Sequence, residues 1–125
     1  LRNPMESREF VDRVIEICDD RQAESILCYD VRKTSILTDY YVICTGNSDT
    51  HLRALMTTID RSFRDIGIPP RNIDGIPMSH WIVMDYSDVL IHIFNAETRA
   101  HYQIEALLDE ATLIHGEPVT IDETT

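Results

Sequence analysis

Five histidines, three cysteines and 22 Asp and Glu residues are the groups in this 125-residue chain that could do chemistry. Metal binding needs ligands that converge, for instance two histidines four apart on one helix face or a Cys-x-x-Cys pair. His51, His80, His92, His101 and His115 supply no such pair and no H-E-x-x-H, and none stands at ligand spacing from a cysteine. Cys18, Cys28 and Cys44 lack C-x-x-C spacing and lie inside apolar runs, where a thiol packs as a small hydrophobe. The expectation is no metal, no cofactor and three buried, unreactive thiols. Nucleophilic catalysis finds no better footing, because there is no G-x-S-x-G elbow and no phosphate-binding G-x-x-x-x-G-K-[ST] loop. His92, flanked by Leu90, Ile91, Ile93 and Phe94, reads as an imidazole with its hydrogen bonds satisfied against the sheet.

One stretch does suit ligand chemistry. In TGNSDTH, Gly46 permits a tight turn, and the backbone N–H groups of a helix start could receive a phosphate. Nucleotidyltransferases pair such a turn with two carboxylates one residue apart on the next strand, which hold Mg²⁺. Here the acids that follow are the lone Asp74 and then Asp85 and Asp88, separated by a turn. Those two do not project from one strand face as a metal clamp requires. The bland reading of TGNSDTH is a capped helix start, with Asn47 or Ser48 as the cap. A nucleotide-binding or nucleotidyltransferase-like enzyme using this turn is the alternative to the reading developed below.

These residues need a frame. From Ser7, apolar Phe10, Val11, Val14, Ile15, Ile17 and Cys18 recur at helical spacing up to Asp19 and Asp20. ESILCYDV and YYVICT are short and rich in strand formers, and the second is apolar enough to be covered on both faces, which implies helices on both sides of the sheet. Leu52, Leu55, Met56, Ile59, Phe63 and Ile66 then mark a second helix that stops at Gly67, ahead of Pro69 and Pro70. A short extended piece over Arg71 to Asp74 leads to a hairpin, WIVMD and VLIHIF, turning at Tyr86, Ser87 and Asp88. A last helix is expected from a cap at Asn95 through Ala100, Ile104, Leu107, Leu108 and Ala111, followed by an aperiodic acidic tail. The order describes one α/β domain with a mixed sheet.

At 43% hydrophobic, the chain can bury one substantial core. Nothing approaches the roughly 18 consecutive apolar residues of a membrane span, and no basic-then-apolar leader is present, so a cytoplasmic protein is expected. The formal charge of −11 disfavours a nucleic-acid groove and suits a basic protein partner. Trp81, Tyr86 and Tyr102 are of types enriched at interface centres, and pattern alone leaves core packing and a docking face both open.

Taken together, SILTDYYVICTGNSDTHLRAL and WIVMDYSDVLIHIFNAETRAHYQIEALL resemble the ribosomal silencing factor, or Iojap-related, family. The likeness is colinear over roughly residues 7 to 110. It includes Asp30-Val31, the block from Ser35 to Ser48, the glycine loop at Gly75, the stretch from Trp81 to Phe94, and E-x-R-x-x-Y-x-x-E from Glu97 to Glu105. The expected organisation is a leader over residues 1–6, in which Met5 is a plausible natural start, a silencing-factor domain over 7–112 and an acidic tail over 113–125.

The resemblance implies a nucleotidyltransferase-like topology without the catalytic carboxylates, and no enzymatic activity. It further implies a translation repressor that binds large-subunit ribosomal protein fourteen, sterically blocks joining of the ribosomal subunits when nutrients are scarce, and forms a homodimer in isolation. Carried over by position, the partner-binding residues are Trp81, Asp85, Tyr86 and Tyr102. Trp81 would anchor the contact and Asp85 would offer its carboxylate to a basic partner. Asp39 and Thr45 match the family's first block and read as turn and capping residues. The family turn D-x-G-D carries Ser87 in place of glycine here, so the backbone must manage without easy positive φ.

Overall fold

The computed structural model describes residues 5–108 and 110–117. Helix α1 (Ser7–Asp20) is followed by strand β1 (Glu24–Asp30), strand β2 (Tyr40–Thr45) and helix α2 (Asp49–Arg64). Strand β3 (Asn72–Asp74), a 3-10 turn (Pro77–Ser79) and the hairpin strands β4 (Trp81–Asp85) and β5 (Val89–Phe94) come next. Helix α3 (Ala96–Tyr102), a second 3-10 turn (Ile104–Leu108) and strand β6 (Thr112–His115) complete the described chain. The six strands form one mixed sheet in the order β3-β4-β5-β2-β1-β6. Only the central pair, β2 and β5, runs parallel, with Val42 beside Ile91 and Cys44 beside Ile93.

Alternation along the strands divides the core. On the first face, Val42, Cys44, Ile82, Met84, Ile91 and Ile93 pack under Phe10, Val14, Leu52, Leu55, Ile59 and Phe63 of α1 and α2. Phe10 and Phe63 stack there with ring centroids 3.9 Å apart. On the second face, Leu27, Tyr29, Ile43 and Phe94 pack with Trp81 of β4, Leu113 of β6, and Ile104 and Leu108 of the second 3-10 turn. Helices therefore flank both faces, but unequally. The first face carries two long helices, and the second only α3 and the 3-10 turn, leaving Tyr41, Val83 and Leu90 half-buried.

Two of the three helix starts, those of α2 and α3, are capped by side chains as their sequences suggest. Ser48 Oγ accepts from the His51 N–H at 3.0 Å, and Asn95 Oδ1 from the Thr98 N–H at 2.8 Å. Gly46 serves close approach as well as the turn, since a Cβ there would stand 2.7 Å from Leu52 Cδ1. The three cysteines are all buried. Burial pushes the Cys28 thiol up to about 12, and a hydrogen bond with Cys44, then burial, raises Cys18. Neither is a ready nucleophile, because the thiolate is the reactive form.

Two expectations are corrected. The last helix does not run to Ala111; it stops at Tyr102, because Gln103 takes a left-handed conformation at φ 45°, and the chain re-forms as a 3-10 turn. Residues 113–115, expected in the tail, instead belong to β6, which pairs antiparallel with β1 and forms that edge of the sheet. Residues 1–4 and 118–125, within the expected leader and tail, lie outside the described residues.

Candidate functional site

The aromatic edge is built where β4 begins. A turn through Gly75 and Pro77 feeds Trp81 into the sheet, and Gly75 is required there: at φ 86° a Cβ would meet the Trp81 carbonyl oxygen at 2.2 Å. Strand alternation aims Trp81 at the second face, opposite Phe94 of β5. Its indole stacks on Phe94 with centroids 4.8 Å apart and meets Tyr102 of α3 at 4.7 Å. Trp81 is half-buried and Tyr102 is 53% exposed. An aromatic pair fixed from below and open from above can receive a partner group without reorganising.

His92 underlies this edge. Trp81 Nε1–H donates to His92 Nδ1 at 3.2 Å, which places the proton of the neutral ring on Nε2. The imidazole is 8% exposed, and burial lowers its pKa to about 4, with the Glu105 carboxylate opposing the shift. It works as a structural acceptor for Trp81 more than as an acid or base near neutral pH. Its Nε2 has no hydrogen-bond partner among the described residues, so its bonding is only half of what the sequence suggests.

The four residues expected at the partner surface do not come together. Asp85 shares the second face with Trp81 but stands at the far end of β4, about 13 Å away at strand rise. Its carboxylate is already engaged, accepting from Arg71 Nη2 at 2.7 Å and from the Ser87 N–H at 2.8 Å. Tyr86 is placed elsewhere altogether. It is 2% exposed and packs on the opposite face against Phe10 and Phe63, at 4.9 and 5.5 Å. Burial pushes its phenol pKa well up. The sequence held the signal for this, because Ile82, Met84 and Tyr86 continue one period-two row into the helix-covered core. Only Trp81 and Tyr102 form a joint surface.

The sequence reading quotes Arg99 within the block from Glu97 to Glu105 but gives it no role. This guanidinium is 6% exposed and ties three elements: Nη1 donates to the Ser25 carbonyl at 2.7 Å and to Thr45 Oγ1 at 2.8 Å, while Nε donates to Glu105 Oε1 at 2.5 Å. The irregularity in β1 between Glu24 and Leu27, with Ser25 at φ 49°, accompanies that carbonyl contact. Thr45 is thus structural, as its place in the sequence suggests.

The TGNSDTH turn is knitted into the fold by its own side chains. His51 Nε2–H donates to the Arg21 carbonyl at 2.7 Å, and Nδ1 accepts from the Asn47 N–H at 3.0 Å. Asp49 Oδ1 lies 3.1 Å from His80 Nε2. Asp88 accepts from Ser7 of α1 and Asp85 turns to Arg71, so these two carboxylates point to different neighbours. Among the described residues, no three His, Cys, Asp or Glu side chains converge as metal ligands, and no helix is long and apolar enough to cross a membrane.

Fold and site together define a mixed-sheet α/β domain with two long helices on one face and an aromatic edge open on the other. A family model described as ribosomal silencing factor during starvation matches residues 4–125. The chain belongs to the ribosomal silencing factor family. It is 32% identical to ribosomal silencing factor RsfS of Bacillus subtilis over 109 residues, 87% of this chain and 92% of that protein. To the factor of Halalkalibacterium halodurans it is 27% identical, covering 92% of this chain and 98% of that one. A crystal structure of a protein from Chromobacterium violaceum superposes with a TM-score of 0.82 at 24% identity, covering 94% of this chain and 93% of that one, and so shares the fold.

Proposed function

We propose that this protein represses translation under nutrient limitation by docking on the large ribosomal subunit, through ribosomal protein fourteen, and sterically blocking the small subunit. Family membership supports the general role. The observation that gives it a surface is the Trp81 and Tyr102 pair, supported from below by Phe94 and His92 and left open to a partner. The action is occupancy, with no bond made or broken, in the cytoplasm. Tyr86 contributes only by holding the core, and Asp85 by fixing the hairpin turn and the Arg71 segment.

Binding of Trp81→Ala and Tyr102→Ala to isolated large subunits, with reassociation of the two subunits as the second readout, tests this reading. Truncating a true anchor costs roughly 2 kcal/mol or more, about thirtyfold in affinity. Wild-type protein is expected to bind and to slow reassociation, and both variants to lose much of each. If both variants bind within a factor of about two of wild type, this edge is not the contact.

A further inference from the structure

A cavity of about 500 Å³ opens beside the aromatic pair, lined by Ser79, Trp81, Glu97, Thr98, His101 and Tyr102. Its walls differ in chemistry. Trp81 and Tyr102 supply aromatic surface, with ring centroids 4.7 Å apart, and His101 braces Tyr102 edge-on at 4.9 Å. Glu97, in the first turn of α3, supplies a carboxylate. The other acids near the ends of β4 are engaged, Asp85 by Arg71 and Asp49 beside His80. Glu97 is exposed and makes no ion pair or hydrogen bond with any described residue.

We propose that this cavity receives an arginine side chain of the basic protein partner, its guanidinium lying against Trp81 or Tyr102 and hydrogen-bonding the Glu97 carboxylate. The inference rests on the docking reading above and names what that surface recognises. A planar guanidinium satisfies both walls at once, since it stacks on an aromatic face and donates two parallel N–H bonds to a carboxylate. A lysine ammonium fits less well, because it is strongly hydrated and has no plane to stack. Charge points the same way: a chain of net charge −11 attracts a cationic partner. A nucleobase of ribosomal RNA could also stack on these rings, but its phosphates would meet Glu97 and the acidic field. The role that the resemblance implied for Asp85 therefore moves to Glu97.

The test compares wild type, Glu97→Gln, Glu97→Arg and Tyr102→Ala for affinity to isolated large subunits, with thermal melting as a control. Glu97 is exposed, so its variants are expected to melt with wild type. Arginine capture predicts a loss of at least about tenfold for Glu97→Gln and a larger loss for Glu97→Arg, whose charge repels the guest. Unchanged binding by Glu97→Gln would overturn the proposal, and tighter binding by Glu97→Arg would do so in favour of RNA stacking. If wild type itself fails to bind large subunits, the docking reading falls instead, so the two failures are separable.

Discussion

Ser87 occupies the left-handed region at φ 70°, where an L side chain is strained and glycine is not. The resemblance expects glycine here, and the turn keeps the glycine geometry without the glycine. Asp85 Oδ1 offsets part of the strain by accepting from the Ser87 N–H at 2.8 Å. Ser87→Gly is therefore expected to raise stability by about 1 kcal/mol in urea unfolding. No gain would mean that the greater freedom of glycine in the unfolded chain offsets the strain relieved. His92 makes a second prediction at this scale. Its folded pKa, about 4, lies below its ordinary value of 6.5, so the unfolded chain binds the proton first as pH falls. The neutral-histidine contribution to stability is whole above about pH 6.5 and is lost progressively toward pH 4, reaching about 3 kcal/mol. His92→Gln should flatten that part of the stability profile relative to wild type. Parallel profiles for the two proteins would show that the imidazole is less isolated than its burial indicates.

Arg99 works at the scale of elements, joining α3 to β1, β2 and the 3-10 turn through one guanidinium. Arg99→Ala leaves Glu105 without its partner and two strand oxygens without their donor, and is expected to cost about 3 kcal/mol. Arg99→Met, of similar length, restores packing but not those bonds, so it should recover only part of the loss. Equal stability for Arg99→Met and wild type would show that the guanidinium contributes no more than volume. Strong local signals made most elements legible beforehand. Ser48 and Asn95 announce helix starts, the Leu52 to Phe63 stripe fixes α2, and WIVMD and VLIHIF announce the hairpin. The end of α3 carried no such mark, because a left-handed Gln103 differs in no compositional way from a helical one. TLIH is only four residues long, and pairing with β1 makes it a strand, a long-range contact that no local pattern encodes. At the site, types found Trp81 and Tyr102, but types alone also proposed Tyr86, which only the period-two row places inside.

At the scale of the whole molecule, the sheet separates stability from recognition by face. The first face buries the stacked rings of Phe10 and Phe63, contributed by the two long helices, with Tyr86 tilted against both, and the second keeps Tyr41, Val83 and Leu90 half-covered beside the Trp81 edge. The separation predicts a crossed outcome. Tyr86→Ala should remove about 3 to 5 kcal/mol of stability, because it empties an aromatic site sealed by Phe10 and Phe63. At temperatures where that variant remains folded, its affinity for large subunits should match wild type. Tyr102→Ala should shift stability by no more than about 0.5 kcal/mol, since the ring is 53% exposed, yet weaken binding strongly. Urea unfolding and binding to isolated large subunits, measured on the same preparations, give the four numbers. Weakened binding by folded Tyr86→Ala would show that the faces are coupled, with packing under the helices setting the position of β4 and hence of Trp81. Independence would confirm that Trp81 is held instead by its own face, through Phe94, Tyr102 and the hydrogen bond to His92.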